Sequence, residues 1–217
     1  MADKERTILL LSGGMNSAVM LYEYLTFKKA DIVEAIIFDA TTSSDFMAAR
    51  DLCDRTGVPY SVWCYDPDPV ISHITPGATE AEIDRSLLFT VLITHAVHRA
   101  RDVGAERIAA GFSAETLPFS PDRLIEFCCH AGRAATEDSH LLEYDFPFID
   151  KSKGQIFELA KDLNRVVEVT LNSTSCDNND DSIQHQWGYG CGSCRGCVAR
   201  WHAWDEYLQI IGQGPTV

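Results

Sequence analysis

The sequence has few basic residues and no long apolar run, and both shortages restrict its partners. Lys and Arg number 18 against 32 Asp and Glu, which gives a formal net charge of −14. Binding along a nucleic acid requires a surplus of cationic side chains, and so does docking on anionic lipid. No stretch approaches the roughly 18 apolar residues of a membrane span, and the N-terminal residues lack a signal-peptide core. We therefore expect a cytoplasmic protein that binds neither nucleic acid nor membrane.

Short apolar runs alternate with helical patterns along most of the chain. A length of 217 residues with 46% apolar content is typical of one domain with an appendage. Apolar runs predict strands at residues 7–11, 32–38, 60–64, 107–111 and 166–170, and helical spacing predicts helices at 45–56, 79–102, 121–133, 152–163 and 198–210. This alternation predicts an α/β fold with a doubly wound, parallel five-stranded sheet. We place this domain at residues 1–170, and a zinc-binding segment with the final helix at 171–217.

Four of the eight cysteines have the spacing of a metal site. Cys191, Cys194 and Cys197 are separated by two residues each, and Cys176 lies upstream of them. Four thiolates suit a closed tetrahedral Zn²⁺ site with a structural role. An iron–sulfur cluster is the rival, although its cysteine run usually continues to a further Cys and Pro. Uncoordinated cysteines are the third alternative. The remaining cysteines lie in apolar patterns typical of small core residues.

A glycine turn follows the first predicted strand and precedes a helix. Its sequence is Ser12-Gly-Gly-Met-Asn-Ser17. A helix that begins at the carboxyl end of a parallel strand offers unpaired N–H groups to an anion. The two serines add hydroxyl donors, which favours a phosphate site over a turn that only reverses the chain. The turn matches neither the Walker A motif nor the dinucleotide fingerprint.

Leu11-Ser-Gly-Gly-Met-Asn-Ser17 resembles the S-G-G-x-D-S signature of the PP-loop ATP pyrophosphatases, whose fold is Rossmann-like. The resemblance implies cleavage of ATP between its α and β phosphates and adenylation of a substrate oxygen. It also implies that residues 11–14 and Ser17 hold the departing pyrophosphate together with Mg²⁺. Asn16 stands where the signature has Asp. Because an amide carries no charge, we expect a weaker Mg²⁺ contact at this position.

Cys191-Gly-Ser-Cys-Arg-Gly-Cys-Val-Ala-Arg200 resembles the zinc motif of the 7-cyano-7-deazaguanine synthase family. Arg85-Ser-Leu-Leu-Phe89 is similar to that family's R-N-x-x-F segment, Pro121-Asp-Arg123 to its P-D-C-R motif and Phe148–Lys153 to its P-L-x-x-x-S-K segment. Two family segments, D-Y-G-Q-R-H and V-P-x-R-N, are replaced here by residues 39–44 and 82–86, so a divergent member is indicated.

This resemblance assigns roles to individual residues. Asn16 and Lys153 are the expected catalytic residues, and both belong to the ATP site, to which Arg85 adds positive charge. Glu115, Asp122 and Arg123 are the expected contacts to the deazaguanine. The implied reaction adenylates 7-carboxy-7-deazaguanine, and ammonia then displaces AMP to give first an amide and finally a nitrile.

Two alternatives stay open at this point. A relative associated with antiviral defence would join the deazaguanine to a protein amine instead of ammonia. In a catalytically silent nucleotide-binding partner protein, Asn16 would mark the loss of catalysis. A tRNA-thiolating PP-loop protein is disfavoured by the acidic charge. The family resemblance also implies a homodimer.

Overall fold

A parallel five-stranded sheet forms the centre of the fold. The computed structural model describes residues 5–28, 30–39, 43–64, 85–113, 115, 117, 120–135 and 142–213. The strands run in the spatial order β3-β2-β1-β4-β5, and every neighbouring pair is parallel. They are β1 (Arg6–Leu11), β2 (Asp31–Asp39), β3 (Tyr60–Cys64), β4 (Arg107–Ala110) and β5 (Glu143–Asp145). This arrangement confirms the predicted doubly wound α/β fold.

Helices connect the strands, and a small hairpin precedes the last helix. The helices are α1 (Met15–Glu23), α2 (Ser44–Thr56), α3 (Arg85–Val103), α4 (Pro121–Ala135), α5 (Lys153–Asp162), α6 (Val166–Asn172) and α7 (Arg195–Ile210). The hairpin pairs β6 (Gln184–His185) with β7 (Gly188–Tyr189). The first six residues of the helix predicted at 79–102 lie outside the described residues. Within the described part, no helix has the length and apolarity needed to span a membrane.

The core has two layers because successive strand residues face opposite sides of the sheet. Leu9 and Leu11 of β1 pack into a cluster formed with α1, α2, α5 and α7. Ile8 and Leu10 pack into a second cluster, formed with α3 and α4. Helix α7 lies along α5 and contributes Tyr207 to the first layer. The division of the chain at residue 170 stays a prediction.

The fifth strand is not where the sequence predicted it. Residues 166–170 form the first part of α6, and the fifth strand is β5, which pairs with β4. Val169 and Thr170 are both buried whereas Val167 is 64% exposed, so burial does not alternate as it does in a strand. β-Branched residues favoured the strand prediction, but packing of Val169 in the first core layer overrides that propensity. The sequence did not predict β5, because it is only three residues long and two of them are acidic, so it forms no apolar run.

Candidate active site and metal centre

The glycine turn lies at the carboxyl end of the central strand, between β1 and α1. Gly13 has a φ of +78°, and a Cβ atom at this position would overlap the backbone carbonyl of Asp45 in α2. Glycine is therefore required by both the backbone conformation and the close approach of α2. Burial raises the pKa of Asp45 to about 6, with Asp177 adding to this effect and Arg200 opposing it. The turn is thus held against the first turn of a second helix.

The serines of the turn form a small network that shapes it from within. The Gly14 N–H donates to Ser12 Oγ at 3.3 Å, the Ser12 and Ser17 hydroxyl oxygens lie 3.3 Å apart, and Ser17 Oγ donates to the Gly14 carbonyl at 2.9 Å. No side chain caps the N-terminus of α1, and its first turn has no acidic residue. The first N–H groups of α1 and its positive dipole end are consequently available to an anion.

Two residues that the sequence did not single out complete the surroundings of the turn. Asn16 Nδ2 donates to Ser113 Oγ at 3.4 Å, and Ser113 is fully buried just beyond β4. The Thr174 N–H donates to the Gly13 carbonyl at 3.1 Å. Ser113 follows the end of a predicted strand and could have been suspected from that position. Thr174 had no such signal, because it belongs to no motif and reaches the turn through the chain that follows α6.

The four cysteine sulfurs converge as a metal site requires. The four Sγ atoms all lie within 4.8 Å of one another, with Cys176 to Cys194 at 3.9 Å and Cys191 to Cys197 at 4.0 Å. A tetrahedral ion with bonds of about 2.3 Å holds its sulfurs about 3.8 Å apart, so these separations fit a single ion. They are too long for a disulfide, and all four cysteines are free thiols. The cluster can therefore bind one metal ion.

Backbone N–H groups point at the sulfurs and prepare them to carry negative charge. Asp177, Cys194 and Cys197 each donate an N–H to a cluster sulfur at 3.3–3.4 Å. N–H donors from Ser193 and Cys194 lower the pKa of the Cys191 thiol to about 6. Burial instead raises the pKa of the Cys197 thiol. A bound dication would favour the thiolate at both positions.

Arg200 connects the cysteine cluster to the segment that touches the glycine turn. It lies one helical turn after Cys197, is 2% exposed, and donates to the carbonyls of Trp187 and Ser173 at 2.7 and 2.8 Å. A further bond to Ser173 Oγ measures 2.9 Å. Burial lowers the pKa of Arg200 to about 10. Thr174, the residue after Ser173, donates its N–H to the Gly13 carbonyl. Hydrogen bonds therefore link the helix that carries Cys197 to the glycine turn through Arg200, Ser173 and Thr174.

Lys153 begins α5 on the same edge of the sheet. The helix opens with a capping box, in which Ser152 Oγ accepts from the Gln155 N–H and the Gln155 side chain accepts from the Ser152 N–H. Upstream of it, Phe148 forms a parallel bridge with Ser113, which contacts Asn16. Lys153 therefore follows the strand extension that lies beside the glycine turn.

The other predicted site residues lie on segments that follow strands. Arg85 is the first residue of α3, Asp122 and Arg123 lie exposed in the first turn of α4, and Glu115 is exposed between β4 and α4. In a parallel sheet these segments share the edge at the carboxyl ends of the strands. A cavity of about 340 Å³ opens between α2 and α6, and its lining includes Thr174, whose N–H donates to the Gly13 carbonyl.

The fold is shared with two synthetases of known structure. NMN synthetase from Francisella tularensis superimposes with a TM-score of 0.55 at 16% identity, covering 99% of this chain and 80% of that one. The NH3-dependent NAD synthetase from Campylobacter jejuni gives 0.51 at 15% identity, covering 77% and 68%. At these identities the likeness concerns the fold alone.

Sequence relatives are more specific. The 7-cyano-7-deazaguanine synthase of Wolinella succinogenes is 35% identical over 126 residues, which are 57% of this chain and 52% of the relative. The enzyme of the same name from Helicobacter pylori (strain Shi470) is 30% identical over 221 residues, covering 94% of this chain and 97% of the relative. A family model described as queuosine biosynthesis protein QueC matches residues 85–208. The chain therefore belongs to the QueC family.

Proposed function

We propose that the protein is an ATP-dependent carbon–nitrogen ligase acting on 7-carboxy-7-deazaguanine. The observation that carries the proposal is the glycine turn at the carboxyl end of β1, where α1 begins without a side-chain cap or an acidic residue. Such a helix start attracts phosphate through its N–H groups and dipole. Membership of the QueC family supplies the substrate, since the relatives are named for the 7-cyano-7-deazaguanine product.

The proposed reaction overcomes the low electrophilicity of a carboxylate. The carboxylate oxygen attacks the α-phosphorus of ATP, pyrophosphate leaves, and an acyl-adenylate forms. Ammonia then attacks the acyl carbon and AMP leaves, which gives the amide. A second ATP adenylates the amide oxygen with release of pyrophosphate and one proton from the nitrogen, and loss of AMP with the second proton gives the nitrile. Each adenylation converts an oxygen that leaves poorly into AMP, which is a good leaving group that the protein can bind.

In this proposal the residues of the turn hold the departing pyrophosphate. Leu11 ends the strand, and Ser12, Gly13, Gly14 and Ser17 supply backbone and hydroxyl donors. Arg85 and Lys153 add positive charge from the starts of α3 and α5, which stabilises charge that develops on the phosphates. Mg²⁺ bound with ATP would neutralise the same oxygens. Glu115, Asp122 and Arg123 are proposed to contact the deazaguanine.

We also propose that the metal of the four-cysteine cluster is structural Zn²⁺. The sulfur separations of 3.9 and 4.0 Å match one tetrahedral ion. A four-iron cluster places each thiolate on a different iron and would hold the sulfurs farther apart. A site with four protein ligands has no open position for substrate, so its role is to stabilise residues 176–197.

Asn16 gives the alternative of a catalytically silent nucleotide-binding protein a specific basis. Its amide donates to Ser113, whereas a carboxylate at this position would have to accept a hydrogen bond there. The loss of one negative charge weakens a Mg²⁺ contact in the turn. The ligase and the silent nucleotide-binding protein would therefore differ in catalysis but not in nucleotide binding.

Pyrophosphate release with ATP, Mg²⁺ and 7-carboxy-7-deazaguanine tests the proposal. We expect substrate-dependent release by the wild-type chain, with Asn16→Asp increasing the rate and Gly13→Ala abolishing it. Release restored only by Asn16→Asp would favour the silent protein, and no release by either would refute the ligase proposal. Mass spectrometry of the products separates the nitrile and amide from a conjugate with a protein amine.

A further inference from the structure

A carboxylate from the last helix occupies the N-terminus of α5. Ser152 Oγ donates to Glu206 Oε1 at 2.6 Å, and the Gly154 N–H donates to Glu206 Oε2 at 3.1 Å. Both oxygens of the carboxylate thus bind the segment that carries Lys153, one on each side of that lysine. A carboxylate at this position also interacts favourably with the positive end of the helix dipole.

The local sequence is adapted to this contact. A Cβ atom on Gly154 would lie 2.5 Å from Glu206 Cδ, so only glycine lets the carboxylate approach the backbone here. Ser152 Oγ already accepts from the Gln155 N–H, which leaves its proton for Glu206. The start of α5 is consequently fixed by its own capping box and by α7 at the same time.

The ammonium group of Lys153 takes no part in these contacts. In the described part of the chain, no carboxylate forms an ion pair with its ammonium, and both Glu206 oxygens bind Ser152 and Gly154 instead. The lysine is therefore held at its backbone while its charge remains for a ligand. The chain leads from Lys153 back to the Phe148–Ser113 bridge, and Ser113 contacts Asn16 of the glycine turn, so Lys153 follows the segment beside the proposed phosphate site.

We propose that Glu206 is a positioning residue for ATP, which fixes the backbone on both sides of Lys153 so that its ammonium meets the phosphates. The inference rests on the proposed function, because it requires Lys153 to contact ATP. Helix α7 begins at Cys194, whose Sγ accepts from the Cys197 N–H. The same helix thus connects the metal cluster to the lysine.

A double-mutant cycle between Lys153 and Glu206 tests this role. Dissociation constants for Mg·ATP are measured by calorimetry for the wild type, Lys153→Ala, Glu206→Ala and the double variant. Asp205→Asn is the matched control, since it removes a neighbouring charge from the same helix turn. Glu206→Gln keeps one oxygen for the Gly154 N–H and is expected to rescue part of the effect. Metal content and thermal unfolding are recorded for every variant.

We expect Glu206→Ala and Lys153→Ala each to weaken Mg·ATP binding about tenfold to a hundredfold, the range for loss of one charge-assisted contact. We expect the double variant to bind no more weakly than Lys153→Ala. In pyrophosphate release, the KM for ATP should rise while the KM for 7-carboxy-7-deazaguanine is unchanged.

Several results would overturn the inference. The first is an additive loss of Mg·ATP affinity in the double variant. The second is an affinity of Glu206→Ala equal to that of Asp205→Asn. The third is unfolding of both Glu206→Ala and Glu206→Gln, because Glu206 would then have a purely structural role. A Mg·ATP affinity of Lys153→Ala equal to that of the wild type would also overturn the inference. The ligase proposal would still hold in that case if the wild type shows substrate-dependent pyrophosphate release. Failure of the wild type to bind Mg·ATP or to release pyrophosphate would instead refute the proposed function.

Discussion

Replacing Arg200 by methionine is expected to destabilise the protein strongly. The side chain is 2% exposed and donates to the carbonyls of Trp187 and Ser173 at 2.7 and 2.8 Å. Methionine fills a similar volume but donates nothing, so both hydrogen bonds from the charged guanidinium are lost. At about 1.5–3 kcal/mol for each hydrogen bond to a charged group, the free energy of unfolding should fall by about 3–6 kcal/mol.

Urea denaturation followed by circular dichroism measures this loss, with saturating zinc so that metal occupancy is constant. The free energy of unfolding of Arg200→Lys should lie between those of the wild type and Arg200→Met, because one ammonium cannot reproduce the several N–H donors of a guanidinium. Arg195→Met is the matched control, since Arg195 is exposed at the start of the same helix. The reasoning is refuted if Arg200→Met unfolds within about 0.5 kcal/mol of the control, the range of ordinary surface substitutions.

Three further predictions concern the glycine turn, the metal cluster and an ion pair. Gly13→Ala should lower the free energy of unfolding by more than Gly57→Ala, since both glycines have a positive φ but only Gly13 would overlap a neighbouring helix; the positive φ alone accounts for about 1–2 kcal/mol at each. Equal losses in urea denaturation would contradict the overlap. Cys194→Ser should lose the metal and reduce stability more than it reduces kcat; metal-free, fully active, equally stable protein would refute this. Burial opposes ionisation of Glu34, but hydrogen bonds and charge from Arg99 lower its pKa below the usual value. The unfolded state therefore binds this proton first, and the stabilisation present near neutral pH is lost as the pH falls through the lowered pKa. Arg99→Gln should flatten that loss in denaturation curves recorded from about pH 6 to about pH 3; an unchanged slope would contradict the assignment.

The features that the sequence predicted correctly depend on residues close together in the chain. The turn at Ser12–Ser17 is defined by a strand, two glycines and a helix in immediate succession. The cysteine cluster is defined by its spacing, and the structure brings the four sulfurs together as that spacing predicted. The parallel sheet followed from the alternation of strand and helix patterns, because parallel strands require crossover helices, although the fifth strand was predicted at the wrong residues.

The features that could not be predicted depend on contacts between distant segments. Ser113 meets Asn16 from 97 residues away, and Glu206 meets Gly154 from 52 residues away. No local pattern specifies such partners. The helical state of residues 166–172 belongs to the same class, since it is set by packing of Val169 against the first core layer. The roles of Glu115, Asp122 and Arg123 depend on where the deazaguanine binds, and they stay predictions.

The position of α7 in the first core layer has a consequence for the order in which the fold assembles. The layer on the side of α3 and α4 is completed by residues up to Ile149. The layer on the side of α1 also needs Ala203 and Tyr207, which pack with Leu9 and Leu11 from the start of the chain. During synthesis, one side of the sheet can therefore be fully covered while the other remains incompletely covered until α7 packs against it. Metal capture by the cysteines just before α7 would shorten this interval, because it restricts the segment that must find α5.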